Sequence, residues 1–260
     1  MGKSLRLVAY NFLAGGSAQR NSHWTRVTGL LRADIVFAQE CRPPGACEGD
    51  TFVPAETDCV HWLPAGRSRV PGRTRWGSGV LVRSSKITPI TFERYPGWVT
   101  GAEITHSPWL NGKRLRVFSI HVPPGKRGYL RTLHEILDII PGFQKGADVI
   151  LAGDFNVVVG YRSPGEPVRM NQGEEDLLDR LTRELRLISC WQTAHPGKPL
   201  AQTLRWSANR RLPYHCDGIF VPSTWRHSLV SCRVVSGAGW RELSDHNPVL
   251  AEFSFEEEGR

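Results

Sequence analysis

Lysine is scarce in this chain. Six of its 33 basic residues are Lys, at 3, 86, 113, 126, 145 and 198, and the rest are Arg. Arg offers a planar fork that grips a phosphate through two parallel bonds, where Lys offers a point charge. A bias in codon usage would give the same skew, so the count alone decides nothing. Long apolar runs are missing as well. No stretch nears the roughly 20 apolar residues that a membrane helix needs. Residues 1–6 pass into a strand-like segment without a signal-peptide core. The corresponding expectations are a cytoplasmic protein with no membrane insertion. The six cysteines contain no CxxC pair, which removes the usual zinc-ribbon spacings. Cys41, Cys47, Cys59 and His61 can be drawn as a zinc site, but the spacing fits no standard pattern, and free thiols are expected. Repeats, linkers and low-complexity stretches are also absent, so a single domain over 1–260 is the simplest count, expected to act as a monomer.

What is present is an ordinary globular balance, 40% hydrophobic and 22% charged, which excludes a disordered or fibrous chain. The net charge of +8 concentrates polyanions near the surface and speeds their encounter. Short apolar or alternating runs predict strands over 5–10, 34–38, 60–63, 78–82, 99–105, 115–120, 148–152, 216–221, 228–235 and 249–253. Apolar residues at helical spacing predict helices over 21–32, 129–140 and 174–187, the last with acids in its first turn. Residues 41–57, with Pro43-Pro44-Gly45, read as a loop. Many consecutive strands have no helix between them. That excludes a purely doubly wound parallel sheet and predicts an α/β fold of two mixed β-sheets packed face to face with helices outside.

Polar residues recur at strand ends. Asn11, Glu40 and His121 each follow an apolar run, as do Asp154 and Asn156. Asp217 precedes Gly218-Ile219-Phe220, and Asp245-His246 precede Pro248-Val249-Leu250. One such residue is an ordinary turn or cap. Together they place carboxylates, amides and imidazoles at the rim of a buried core, where rigid strands hold side chains accurately. The set suits hydrolysis of a phosphate ester. That reaction needs a hard cation, a base for water, and donors for the developing charge. Mg²⁺ takes oxygen ligands and keeps several waters, so one or two carboxylates suffice. Glu40 and Asp245 are the expected metal ligands, with Mn²⁺ as a substitute ion. Asp154 would orient or deprotonate water. Asn11 and Asn156 would hold a phosphate oxygen or a carboxylate without adding charge. Asp217 would orient His246.

Tyr10-Asn11, Gln39-Glu40, Ser119-Ile120-His121, Gly153-Asp154-Phe155-Asn156, His215-Cys216-Asp217 and Ser244-Asp245-His246, in this order, make the chain resemble the endonuclease/exonuclease/phosphatase superfamily. This is the fold of pancreatic-type deoxyribonuclease and exonuclease III. The resemblance implies a four-layered α/β sandwich, Glu40 at the metal, and Asp154 and Asn156 at the water and phosphate. It also implies an Asp217–His246 pair at the phosphate and His121 as a second phosphate-side donor. There are departures. Gly218 stands where many relatives carry an aromatic residue, and Pro124 where the exonuclease III branch has Asn. The Glu that partners the histidine in the pancreatic branch has no visible counterpart.

Two Arg-rich segments bear on the substrate. Arg67, Arg69, Arg73 and Arg75 precede Trp76, and Arg205, Trp206, Arg210 and Arg211 lie just before Asp217. Basic residues interleaved with Trp suit a groove for a nucleic-acid backbone with base stacking, and a solvated loop is the bland alternative. The expected activity is a Mg²⁺-dependent nuclease, on DNA before RNA. The alternatives are a lipid or small-molecule phosphoesterase, of phosphoinositide phosphatase or sphingomyelinase type, and a non-catalytic nucleic-acid-binding protein. Trp98 and Trp109, beside Pro96-Gly97 and Pro108, would be the wedge of a lipid enzyme.

Overall fold

Alternation with a period of two decides which way each strand faces. In β1 (Lys3–Asn11), Leu5, Leu7 and Ala9 enter one core, and Val8 and Tyr10 enter another on the opposite face. In β2 (Ile35–Cys41), Ile35 and Phe37 divide from Val36 and Ala38 in the same way. The computed structural model describes residues 3–13, 22–45, 52–65, 76–106, 109, 112–162, 169–206 and 214–256. The remaining strands are β3 (Cys59–Pro64), β4 (Gly77–Val82), β5 (Lys86–Thr91), β6 (Val99–His106), β7 (Leu115–His121), β8 (Asp148–Asp154), β9 (Leu187–Ser189), β10 (Asp217–Pro222), β11 (Leu229–Val234) and β12 (Val249–Phe255).

They form two six-stranded sheets, ordered β11-β12-β1-β2-β4-β3 and β5-β6-β7-β8-β10-β9. Each sheet holds one parallel pair at its centre, β1 with β2 and β7 with β8, among antiparallel neighbours. The two C-terminal strand ends of each parallel pair therefore lie side by side. One core fills the space between the sheets, with Leu7, Phe37, Val117, Ile150 and Ile219 among its members. A second core lies under α2 (Tyr129–Leu137) and α3 (Gln172–Asp179), which bury Leu133, Ile136, Leu177 and Leu178 on the outer face of the second sheet. The third lies on the outer face of the first sheet, covered by Trp24 and Val27 from the helix at α1 (Ser22–Thr25) and its continuation, and by Trp240. Three cores between four layers make the α/β sandwich that the strand pattern predicts. Each buried aliphatic or aromatic side chain contributes about 1.5–3 kcal/mol.

The helices depart from expectation at their ends. The helix expected over 21–32 is α-helical only to Thr25 and continues as a π-helical turn, Arg26–Leu30. Thr28 bonds its hydroxyl back to the Trp24 carbonyl at 2.7 Å, a local competitor of the helical ladder. The helix expected over 174–187 starts earlier, at a capping box between Asn171 and Glu174. It gives way after Glu184, because Leu187–Ser189 pair with β10 instead. The helix over 129–140 stops at Leu137, and Ile140–Phe143 form a separate turn with Pro141 in its first positions. Strand β5 escaped the sequence pattern because it is an edge with Pro89 in its middle.

Beneath the strand ends the sheets are joined by polar bonds. Gln39 donates to the Ser119 hydroxyl at 2.8 Å, and Ser119 donates to the Ala38 carbonyl at 3.0 Å. Gly153 closes over this link with φ +140. A Cβ there would lie 2.1 Å from the Ile120 carbonyl oxygen and 2.7 Å from the Gln39 amide. Gly153→Ala is therefore expected to destabilise the fold by more than about 2 kcal/mol. Urea unfolding of the two proteins checks this; equal midpoints would refute it.

Candidate active site

Strand register builds the centre of the site. Asp154, the last residue of β8, lies opposite His121 on β7 and opposite Asp217 on β10. Residues in register point to the same face, so these three side chains form one row, directed into the gap between the sheets. Asn11 comes from the other sheet. Its Nδ2 donates to Asp154 Oδ2 at 3.0 Å and to Glu40 Oε1 at 3.2 Å, while its Oδ1 accepts from the Leu13 amide at 2.9 Å.

Glu40 gets there by an irregularity. On β2, Ile35, Phe37 and Gln39 face inward and Val36 and Ala38 outward, so strict alternation would turn Glu40 out, under the helices. The pairing of β2 with β4 shifts register between Ala38 and Cys41, and Glu40 sits in that bulge with φ +45. The bulge restores Cys41 to the outer core and re-aims Glu40 toward Asn11 and His121. Left-handed backbone is costly for a non-glycine residue, of order 1–3 kcal/mol, and the site holds a second example in Asn156 at φ +54. There the Asn156 amide donates to Asp154 Oδ1 at 2.9 Å, and its side chain donates to the Val122 carbonyl at 3.0 Å.

The histidines stand on either side of Asp154. His121 Nε2 lies 3.8 Å from Asp154 Oδ2 and 3.6 Å from Glu40 Oε1. His246 Nε2 lies 3.8 Å from the same Asp154 oxygen, and its Nδ1 is bonded to both oxygens of Asp217 at 2.9 and 3.1 Å. Their environments drive them apart. Burial pulls His121 down to about 4; Asp154 opposes this and His246 adds to it. Burial works against the charge on His246 too, but Asp217, Asp154, the Nδ1 bond and Asp245 outweigh it and bring the ring to about 10. Burial also raises the Asp154 carboxyl, with Asp217 adding and the two histidines opposing. Asp245 is partly exposed, yet its Oδ1 is buried without a hydrogen-bond partner among the described residues, 3.9 Å from His246 Nε2. Asp154, Asp217 and His246 bring ligand atoms within 4.8 Å of one another, a grouping that could hold a metal ion.

Several supporting residues were not legible as such. Ser244 donates to the Asn11 carbonyl at 2.8 Å and accepts from the His246 amide at 3.0 Å. Thr203 accepts at its hydroxyl from the amides of Cys216 and Asp217 at 2.9 and 3.0 Å. Thr203 has no local sequence signal, since its partners lie 13 and 14 residues away, and the bond from Ser244 to Asn11 spans 233 residues. Arg205 corrects an expectation. Its guanidinium does not face outward for substrate but donates inward, to the Ser244 carbonyl, the Asn247 side chain and the His246 carbonyl. It fastens the loop that carries Asp245 and His246. Trp206 beside it is about half exposed and meets Tyr214 edge-on. Trp76 packs on His121, with ring centres 5.5 Å apart, and Trp98 packs there too, at 4.9 Å. Trp98 and Trp109, considered above as a membrane wedge, are thus a site wall and a core residue. Arg67, Arg69, Arg73, Arg75, Arg210 and Arg211 lie outside the described residues, as does Cys47. Cys41 and Cys59 are free thiols. Among the described residues, no helix is long and apolar enough to cross a membrane.

The sequence matches the endonuclease/exonuclease/phosphatase family over residues 8–246. Among solved structures, the AP endonuclease LMAP from Leishmania major superposes with a TM-score of 0.68 at 14% identity, covering 98% of this chain and 89% of its own. The APE2 catalytic domain of Xenopus laevis gives 0.66 at 20% identity over 98% and 94%. The human Nocturnin catalytic domain, with bound sulfate, gives 0.67 at 15% over 97% and 95%. No curated protein matches. The chain belongs to the endonuclease/exonuclease/phosphatase family.

The opposite shifts of the two histidines have opposite consequences. The charged His246 stabilises the fold fully below the ordinary imidazole value of 6.5, and that stabilisation is lost as pH rises through about 10. The neutral His121 contributes above 6.5, and its contribution is lost as pH falls toward about 4. Imidazole ¹⁵N NMR of the protein in EDTA should find His246 doubly protonated at pH 8.5 and His121 neutral at pH 5.5. Asp217→Asn should bring His246 down toward neutrality. Two histidines titrating together near 6.5 would contradict the assignment.

Proposed function

We propose that this protein hydrolyses phosphodiester bonds in nucleic acid, DNA before RNA, with Mg²⁺ bound at Glu40 and Asp245. The observation that carries the reading is the convergence of Asn11, His121 and His246 on one oxygen of Asp154, beside the Asp217–His246 pair. Asp154 is the group that orients water and takes its proton. Its burial raises the carboxyl toward the range of a useful base. Asn11 holds that carboxylate in place without neutralising it. His246 is a buried cation whose Nδ1 is fixed by Asp217, which leaves Nε2–H for the non-bridging oxygens of a phosphate, where negative charge grows. His121 is a neutral ring on the opposite flank of Asp154, able to donate one hydrogen bond to the same group.

Glu40, Asp154, Asp217 and Asp245 crowd four carboxylates around a single imidazolium, an excess of negative charge that calls for a cation. The orphaned Oδ1 of Asp245 and the re-aimed Glu40 supply hard oxygen donors, which fit Mg²⁺ and accept Mn²⁺. The alternative trio of Asp154, Asp217 and His246 fits less well, because Asp217 and His246 already bind each other and His246 holds its second proton. When bound, the cation neutralises phosphate charge as a Lewis acid. Support for nucleic acid comes from the net charge of +8, from the exposed Trp206 on the loop beside His246, and from structural neighbours whose names include AP endonucleases.

Plasmid and labelled oligonucleotides should be cut in Mg²⁺ and left intact in EDTA, with no release from phosphoinositide or sphingomyelin. Glu40→Gln, Asp154→Asn and His246→Ala should each lower turnover by about 10²–10⁴-fold without loss of the folded far-UV spectrum. Failure to cut any nucleic acid would sink the nuclease reading, and a near-normal rate in one variant would remove that residue from the chemistry.

A further inference from the structure

Next to the site lies a cavity of about 530 Å³ that the strand-end residues do not occupy. Its walls are the turn over 94–98 and the loop that leaves β7 and enters α2. Trp98 belongs to both places. Its ring packs on His121 at 4.9 Å, its carbonyl accepts from the His121 amide at 2.8 Å, and it lines the cavity. Tyr129, just past the loop, is raised by burial and then by the charges of Asp154 and Glu40, which places its phenol within reach of their field.

The lining is strongly cationic. Arg94, Lys126, Arg127 and Arg131 surround it, and Glu135 is its one carboxylate. Glu135 is already taken, by Arg94 at 2.7 Å, Arg131 at 3.6 Å and the Tyr95 hydroxyl at 2.6 Å. Lys126 and Arg127 are exposed and make no hydrogen bond or ion pair among the described residues, although Arg127 adds to the positive field of Arg94 and Arg131 on Glu135. The loop that bears them is not slack. Gly128 bonds back to the Gly125 carbonyl at 3.0 Å, the Thr132 hydroxyl caps the Gly128 carbonyl at 3.1 Å, and Gly125 lies so close to Thr132 that a Cβ would meet its hydroxyl at 2.1 Å. Two flanking prolines, Pro123 and Pro124, stiffen the approach. Two exposed cations, Lys126 without a charged partner among the described residues, are thus held in a fixed turn beside the catalytic row, in a concave wall that offers a chain a track rather than a flat sheet a surface.

We infer that this cavity is a second phosphate subsite, where Lys126 and Arg127 grip a backbone phosphate of the nucleic-acid strand while a neighbouring phosphate lies at Asp154. This rests on the nuclease reading, and it makes the protein select polymers over single phosphate esters. Each phosphate neutralised on a duplex adds about 0.9 to the slope of log K against log salt, and about 0.7 on a single strand.

The test is the double variant Lys126→Ala/Arg127→Ala in the full chain, with Lys86→Ala, exposed at the end of β5 away from the strand-end site, as control. Binding of a labelled 20-mer duplex in EDTA is followed across salt concentrations, and KM and kcat are measured in Mg²⁺. The double variant should bind about tenfold more weakly at 0.1 M salt, with its salt slope smaller by about 0.9 for the one phosphate lost, and should raise KM far more than it lowers kcat. The control should match the parent. An unchanged slope and affinity would overturn the subsite, as would capture of phosphoinositide vesicles through these residues in place of DNA. If the parent binds DNA through this loop but cuts nothing, the subsite stands and the hydrolase reading falls. If it cuts and the double variant cuts with the same KM, the reverse holds.

Discussion

A buried hydrogen bond joins the two halves of this molecule at the point where chemistry is expected. Asn11 stands at the end of β1 and Asp154 at the end of β8, 143 residues apart, and the 3.0 Å contact between them crosses from one sheet to the other. Neither side chain tolerates loss of the other. Without Asn11, the Asp154 carboxylate would keep its burial and lose a donor, at a cost of the kind that strands a buried charge. Without the sheets packed to this depth, Asn11 would be an ordinary strand end. The packing of Leu7, Phe37, Val117 and Ile150 below is what brings the two strand ends within bonding distance.

From this contact the electrostatics follow. A carboxylate at the focus of two imidazoles would favour the charged form of both alike if their surroundings were equal. They are not equal. His246 has Asp217 behind it, bonded through Nδ1, and becomes a cation in spite of burial. His121 has Trp76 and Trp98 behind it, and its Nδ1 finds no acceptor among the described residues. Aromatic walls give desolvation without compensation, so it stays neutral. Here one positive charge and one neutral ring flank the same carboxylate. Under the proposed hydrolysis that asymmetry would divide the two rings between separate tasks, charge stabilisation for His246 and hydrogen-bond donation for His121.

The order of elements and the row of polar strand ends were readable from the chain because both depend on local pattern. Alternation marks strands such as β1 and β8, and a polar residue just past an apolar run marks a rim. What could not be read depends on partners distant in sequence. The bulge at Glu40 is invisible in the run Ile35-Val36-Phe37-Ala38-Gln39-Glu40-Cys41, where a regular strand would hide Glu40 under the helices. Thr203 looks like any hydroxyl in a loop, and the bond from Ser244 to the Asn11 carbonyl is set by packing across 233 residues. β9 was lost to a helical pattern because its three residues are claimed by β10, and pairing outweighs propensity there.

Arginine abundance shows the same limit from the other side. An Arg-rich, Lys-poor chain invites the inference that its guanidinium groups await phosphate, yet many of them are already occupied. Arg205 secures the Asp245–His246 loop. Arg116 ties Glu103 to the carbonyls of Phe143 and Lys145, and Arg180 reaches His134, Asp138 and Glu184 at once. Five donors in a rigid fork suit this stitching of separate segments, which Lys cannot do. A cation that stitches has spent its hydrogen bonds and offers a ligand only its residual field. The informative cations are the ones the fold leaves unused next to the site, Lys126 among them, so that in a chain where Arg is common and structural, one of its few lysines carries more of the functional argument than the Arg count does.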